Sequence, residues 1–173
     1  MNEIPNILEP NEKVIYDGKP EFTPYIVSTL FASLVAGAMV AVFAGIYLKS
    51  VLLGFGAGIV ILVFGIVLAN MSYSRTHYAI TNKRAIIQSG IIGRDFKSVD
   101  YDRMQNVSVD VGILGVIFKV GTVKIFTGEI ETVSSGKTSS IQSKYDRFNY
   151  VSSPYEVLKK LQTELSKRKE QLA

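Results

Sequence analysis

Side chains able to carry out acid–base or metal chemistry are few in this sequence. His77 is the only histidine, and the chain contains no cysteine. Thiolate sites and His-rich metal sites are excluded, because both need ligands that the chain lacks. We interpret His77 as a partly exposed strand or interface residue, not as a catalytic base.

Two short segments resemble catalytic motifs. Asp100 and Asp102 are two residues apart, so both lie on one face of a strand, as a paired acid and base would. Solvated carboxylates share this spacing, and Lys97 and Arg103 are close enough to neutralise them. The segment 134–138 resembles the end of a phosphate loop but lacks the first glycine and the following helix. We expect no enzyme, no cofactor and no metal.

Basic residues suggest a different chemistry, the attraction of an anionic membrane surface. The candidate membrane-surface residues are Arg75, Lys83 and Arg84, with Arg94 and Arg103 as further members. Each would contribute about 1 kcal/mol near an anionic leaflet. The alternative is a solvated, mildly basic surface. Nucleic acid is not an expected partner, because no recognition helix or basic–aromatic interleaving is present.

Two uncharged runs must position all of these groups. The runs 22–48 and 50–74 are separated only by Lys49. Because about 20 apolar residues cross a bilayer core, the sequence predicts a transmembrane helical hairpin over residues 22–74 with the lipid bilayer as its partner. A pore is disfavoured, since neither run contains a charged residue that could line a path.

The distribution of positive charge predicts the topology of the hairpin. Lys49 is alone in the turn, whereas the other ends of the two runs are flanked by Lys13, Lys19, Arg75, Lys83 and Arg84. Lysine and arginine concentrate on the cytoplasmic side of membrane proteins. We therefore expect a multi-pass protein of the cell membrane with both termini in the cytoplasm.

Small residues recur on one face of each run. Gly37, Ala41 and Gly45 lie in the first run, and Gly54 and Gly58 lie in the second. Counted from the turn, Gly45 faces Gly54 and Ala41 faces Gly58, and such spacing lets helix backbones approach closely. These residues are the predicted helix-packing positions. The simpler interpretation is that they close the hairpin, and the stronger one is that they also mediate self-association.

The rest of the chain divides into a lead-in, residues 1–21, and a domain, residues 75–173. Pro10, Gly18 and Pro20 indicate that the lead-in is a linker with one short extended piece. The domain contains short alternating segments that predict seven antiparallel strands in a sandwich or small barrel, with no helix between them. Asn82-Lys83 is predicted to be its first hairpin turn.

One helix is predicted at the end of the chain, over residues 153–170. Ser153 suits the N-cap, Pro154 the first helical position and Glu156 the capping box. The predicted fold class is therefore a two-helix transmembrane hairpin followed by an α+β, mainly antiparallel-β domain. Seven strands with a capping C-terminal helix form a pleckstrin-homology-like (PH-like) barrel.

Three sequence blocks carry a family resemblance. Residues 8–20 read LEPNEKVIYDGKP, residues 78–91 include YAITNKR followed by SGI, and residues 107–125 begin with VSV and end with GTVKI. In this order around an apolar hairpin, they make the chain similar to the bacterial PH-like (bPH2) membrane protein family. The resemblance implies a membrane-tethered PH-like domain, and some members of the family are linked to envelope stress or to resistance against membrane-active compounds.

The resemblance and the hairpin together predict a function. We expect a membrane-anchored cytoplasmic PH-like domain that acts as a non-catalytic interaction or assembly module, in a homo-oligomer or with a membrane protein partner. The alternative is a lipid- or ligand-sensing domain that regulates a membrane partner. Phosphoinositide-binding PH domains use a longer basic loop between their first two strands. The turn Asn82-Lys83, taken as its equivalent, is too short for specific headgroup binding.

Overall fold

Two long apolar helices and two β-sheets make up the computed structural model, which describes residues 2–91, 93, 95–135 and 138–172. The elements in chain order are β1 (Val14–Gly18), α1 (Phe22–Tyr47), α2 (Val51–Arg75), β2 (His77–Thr81), β3 (Arg84–Ser89), β4 (Asp95–Asp100), β5 (Asn106–Asp110), α3 (Ile113–Phe118), β6 (Val120–Ser135), β7 (Thr138–Ser152) and α4 (Pro154–Leu172). Short 3-10 turns lie at Ile4–Ile7 and Tyr101–Arg103.

The strands form two antiparallel sheets, so of the expected sandwich or small barrel the structure has the sandwich and no closed barrel. One sheet has the order β1-β2-β3-β4 and the other β5-β6-β7. The 3-10 turn Tyr101–Arg103 redirects the chain between β4 and β5, so these two strands do not continue one hydrogen-bond ladder. A four-stranded sheet, a three-stranded sheet and a C-terminal helix together agree with the predicted PH-like arrangement.

A single apolar core joins the two sheets to α4. The ring of Tyr78 in β2 stacks on that of Phe148 in β7, with centroids 4.8 Å apart. Val157 and Leu161 on one face of α4 are buried in the same cluster. α4 covers the space between the two sheets and packs its apolar stripe against the core. The helix therefore closes this side of the sandwich.

The lead-in is part of the folded domain, so the expectation of a linker is wrong. β1 pairs with β2 along its length, from Val14 opposite Thr81 to Gly18 opposite Tyr78. The 3-10 turn before it packs Ile4 against Ala79 and Ile86 on the outer face of the sheet. Residues 75–173 therefore lack one strand of their own sheet.

This pairing changes where the hairpin lies in the fold. Since β1 precedes α1 and β2 follows α2, the hairpin is the connection between the first two strands. The turn Asn82-Lys83 joins the second and third strands and is not the equivalent of the headgroup-binding loop. The shortness of this turn therefore says nothing about headgroup binding.

Two further elements differ from the prediction. The apolar connector after β5 forms α3, which ends where Lys119 adopts a left-handed conformation with φ 55°. The two strands expected around Thr122–Thr127 and Val133 are one strand, β6, because Gly128 at φ 84° makes an irregularity in the ladder and not a turn.

Helices α1 and α2 are antiparallel and make close backbone contact. A Cβ added to Gly58 would lie 2.6 Å from the carbonyl oxygen of Gly37 and 2.9 Å from the Cβ of Ala41. A Cβ added to Gly54 would lie 2.7 Å from the Cα of Gly45. All five predicted helix-packing residues thus lie in the contact between the two helices, and at Gly37, Gly54 and Gly58 even an added methyl group would meet backbone atoms of the facing helix.

Glycine 58 and glycine 56 provide a matched test of this contact. Gly58→Ala should destabilise the hairpin by about 1–3 kcal/mol, because the new methyl group meets backbone atoms that cannot move aside cheaply. Gly56→Ala, in the same helix with nothing within 4 Å of the added Cβ, should be neutral or stabilising by up to about 1 kcal/mol. Thermal unfolding of the full chain in detergent measures both, and equal midpoints would contradict the packing.

Candidate functional site

The three candidate membrane-surface residues lie at opposite ends of β2. Arg75 is in the last turn of α2, where its guanidinium donates a hydrogen bond to the carbonyl oxygen of Ile91. Lys83 and Arg84 follow the other end of β2, a strand of five residues that spans about 17 Å. A single flat surface at the end of the domain next to the hairpin therefore cannot contain all three basic residues. Arg94 lies outside the described residues.

Lys83 and Arg84 belong to a polar cluster that we call the N-terminal clamp, made of Glu9, Glu12, Thr81, Lys83 and Arg84. The Arg84 guanidinium contacts both Glu12 carboxylate oxygens at 3.0 Å, and the Lys83 ammonium contacts Glu9 at 2.9 Å. The Arg84 side chain is only 17% exposed, so the expectation that it is free at the surface is wrong. Lys83 remains half exposed but is neutralised.

Thr81 is the centre of the clamp. Its hydroxyl donates to Glu12 Oε1 at 2.7 Å and accepts the backbone N–H groups of Lys83 and Arg84. Burial alone would raise the pKa of the Glu12 carboxyl, but hydrogen bonds from Arg84, from the Glu9 backbone N–H and from Thr81 outweigh burial and lower that pKa. The clamp therefore holds an ionised, paired carboxylate that ties the lead-in to the β2–β3 turn.

A polar cleft of about 500 Å³ lies beside the clamp. It is lined by Glu9, Asn82, Lys83, Arg84, Asp100, Asp102, Arg103 and Arg168. Its cations are largely paired with carboxylates, since Arg168 holds Asp102 through two hydrogen bonds of 3.1 Å. The cleft has room for a small polar ligand, but it presents little uncompensated charge.

Of the two interpretations of Asp100 and Asp102, the acid–base pair does not form. Asp100 ends β4, whereas Asp102 lies in the following 3-10 turn and is bound by Arg168. The hydrogen bond from Arg168 lowers the pKa of the exposed Asp102, so this carboxyl is not held as an acid. Lys97 contacts Asp146 at 2.6 Å instead of either aspartate.

His77 is buried, so the expectation of partial exposure is wrong. It pairs with Gln88 across the β2–β3 ladder, and its Nε2 has no hydrogen-bond partner among the described residues. Burial lowers the pKa of the imidazole below its usual value, with further lowering by Lys19, so the neutral form is favoured. The side chain is packed in the fold and does not line the polar cleft.

The remaining motif falls partly outside the described residues. Gly136 and Lys137 of the loop-like segment 134–138 are not described, and the flanking residues belong to β6 and β7. Within the described part of the chain, no group of three or more His, Asp or Glu side chains could hold a metal ion.

Sequence reasoning missed the partners that make up the clamp. Glu12 is in the lead-in and Arg84 is beyond the hairpin, so no local pattern connects them. A usable signal was present in the resemblance itself, because Glu12 and the segment from Thr81 to Arg84 both belong to its sequence blocks. Charge counting treated Arg84 as a free cation because it ignores such distant partners.

The buried ion pair of the clamp gives a prediction on stability. Arg84→Met should lower the free energy of unfolding by about 3–5 kcal/mol, because Glu12 is left buried without its cation. Adding Glu12→Gln should restore part of this loss. Chemical denaturation of the full chain in detergent measures the cycle, and additive losses would contradict the coupling.

The clamp also predicts the direction of a pH effect. Because the folded pKa of Glu12 is below its ordinary value of 4.5, its contribution is present above that pH and is lost as pH falls through the folded pKa. The single variant Glu12→Gln should therefore show a flatter loss of stability below about pH 4.5 than the unchanged chain does. An identical acid profile for the two proteins would contradict the paired carboxylate.

The family model described as bacterial PH domain matches residues 26–169. No curated protein matches the chain, and no solved structure does. The matched range runs from the first turns of α1 into α4, so it includes the hairpin and every strand except β1. The chain therefore belongs to the bacterial PH domain family.

Proposed function

We propose that this chain is a membrane-anchored PH-like domain that acts as a non-catalytic module for protein assembly. Membrane anchoring is supported by α1 and α2, with 26 and 25 residues, which are long and apolar enough to cross a bilayer. Only 11% of each apolar window is buried, whereas a core helix of a soluble protein is mostly buried. An apolar surface of this extent is typical of contact with lipid.

The topology that we propose has the domain and both termini in the cytoplasm. Both hairpin ends join the same sheet through β1 and β2, so the domain lies on one side of the membrane. At that end Tyr73 packs against Phe22 and Tyr25, and such aromatic groups favour the membrane–water interface. The turn with the single charge of Lys49 lies on the opposite side.

Single cysteines in this Cys-free chain test the topology. Ser50→Cys lies in the hairpin turn, and Ser166→Cys lies on the exposed face of α4. An impermeant thiol reagent added to intact cells should label Ser50→Cys and should leave Ser166→Cys unlabelled until the cells are opened. The reverse pattern would contradict the proposed orientation.

The observation that carries the assembly proposal is a two-stranded arm. Beyond Asn106, the first residue of β5, strands β6 and β7 continue as a pair through Ile130 opposite Ser143 and Thr132 opposite Ile141. This register puts Ile130 and Ile141 on one face of the arm, and they are 67% and 72% exposed. Strands with unpaired edges and exposed isoleucines favour pairing with another chain.

The charges of the polar cleft do not favour the lipid- or ligand-sensing alternative. Lys83, Arg84 and Arg168 each have a carboxylate partner, so an anionic headgroup would have to break existing ion pairs. Two of these residues also lie at the far end of β2 from the hairpin. The exposed isoleucines and strand edges of the arm offer a protein partner contacts that need no such exchange.

The assembly proposal predicts that the arm controls the oligomeric state. The full chain is used, because a fragment starting at residue 74 would lack β1. The unchanged chain should form a defined oligomer or co-extract a membrane protein, and Ile130→Lys with Ile141→Lys should abolish this. Intact-mass measurement after gentle detergent extraction gives the readout.

A charge-matched control keeps this test specific. Gln162→Lys with Ser166→Lys adds the same two charges to the exposed face of α4 and should leave the assembly unchanged. A monomer without a bound protein, observed for the unchanged chain, would contradict the proposal. If the arm variant keeps the same oligomeric state and bound protein as the unchanged chain, the arm is not the assembly surface.

A further inference from the structure

We propose that α3 is an interfacial membrane anchor whose apolar face enters the leaflet beside the start of α1. The ligand in this proposal is the lipid surface itself. The proposal rests on the membrane insertion of the hairpin proposed above, and it adds a third contact between this chain and the bilayer.

The exposed face of α3 is apolar and continuous. Ile113, Val116 and Ile117 are 82%, 71% and 64% exposed. They are spaced at i, i+3 and i+4, so they share one face of the helix. The opposite face is packed, since a Cβ added to Gly115 would lie 2.5 Å from the carbonyl oxygen of Val120 and 2.9 Å from Val111. Tight packing at Gly115 fixes the apolar face outward.

The position of α3 puts this face next to the hairpin. α3 contacts α1 directly, and it lines a cleft with Tyr150 in β7. The carbonyl oxygen of Tyr150 accepts a hydrogen bond of 2.7 Å from the backbone N–H of Glu21, and its ring lies 6.1 Å from that of Tyr25. Because Glu21 immediately precedes α1, α3 lies at the level where the hairpin begins.

Helix length places that level at the membrane surface. The 26 residues of α1 span about 39 Å, whereas the hydrocarbon core is about 30 Å thick. The first turn of α1, with Phe22 and Tyr25, therefore lies in the interfacial layer. Apolar helix faces that lie in the plane of this layer are buried about 5–10 Å into the headgroup and acyl boundary. The side chains of α3 are short enough to stay within that depth.

Size and charge favour lipid over a second protein as the partner. A face made of three aliphatic side chains on one six-residue helix is far smaller than the roughly 800 Å² that each partner contributes to a stable protein interface. The exposed Lys119 follows directly, and its cation suits the phosphates of lipid headgroups. The face is also continuous with the apolar surface of α1 through their direct contact.

A depth-quenching experiment tests the proposal with three single-cysteine variants of the full chain. Ile117→Cys reports on α3, and Val63→Cys, exposed near the middle of α2, reports on the hairpin. Ser166→Cys is the control, because it is exposed on α4 close to Arg168, which binds Asp102 at the polar cleft, away from both α3 and the arm. Each variant is labelled with an environment-sensitive fluorophore and reconstituted into vesicles of phosphatidylcholine and phosphatidylglycerol. Lipids that carry a nitroxide at either a shallow or a deep position in the bilayer are then added. Each nitroxide quenches the fluorophores that lie at its own depth.

The expected result is a depth order. The label at Ile117→Cys should be quenched at least about twofold by the shallow nitroxide and less by the deep one, since α3 lies at the interface. Val63→Cys should show the reverse order, and Ser166→Cys should not be quenched. Unchanged thermal midpoints of the three variants would verify that each remains folded.

The outcomes separate this proposal from the one on which it rests. Quenching at Val63→Cys without the shallow pattern at Ile117→Cys would overturn the α3 anchor and leave the hairpin in the membrane. A blue-shifted but unquenched label at Ile117→Cys would indicate protein contact and would also overturn it. Absence of quenching at Val63→Cys would overturn the membrane hairpin itself.

Discussion

The backbone ladder between β1 and β2 is the constraint on which the rest of the structure depends. These strands are neighbours in the sheet although the whole hairpin lies between them in the chain. Paired strands are about 4.8 Å apart, so the ladder brings the start of α1 and the end of α2 close together. For the two backbones to stay this close along the helices, the facing residues must be small. The glycines and Ala41 at the α1–α2 contact meet that requirement.

The clamp and the apolar cluster hold the same ladder in register. Glu12 and Arg84 pair at the far end of β1 and β2, while Ile4 packs on the outer face at Ala79. A buried ion pair adds little net stability compared with apolar groups in the same place, but removing only one of its two charged partners is costly. A shift of β1 by one residue would separate Glu12 from Thr81 and Arg84. The clamp therefore makes one register strongly preferred.

The features predicted correctly from the sequence are those encoded by nearby residues. The hairpin follows from two uncharged runs, and α4 follows from Pro154 at its first position and from its apolar stripe. The place of β1 was not predictable in this way, because its partner is on the other side of α1 and α2. Arg84 was wrongly expected to be exposed for the same reason, because its partner Glu12 also lies on the other side of the hairpin in the chain. The six apolar residues of α3 are too few for periodicity to separate a helix from a strand, and Gly128 suits a turn or a bulge equally well.

The geometry also bears on where copies of this chain would meet. The small-residue faces of α1 and α2 are occupied by each other, so a Gly37 or Gly58 contact with a second copy would require the hairpin to open. β6 begins directly after Lys119 at the hairpin end of the domain, and its 16 residues span roughly 50 Å. In the proposed assembly, with α3 held at the leaflet, the exposed isoleucines of the arm lie well away from the bilayer. Under that proposal, association depends on the arm, and the hairpin anchors each copy without linking it to the next.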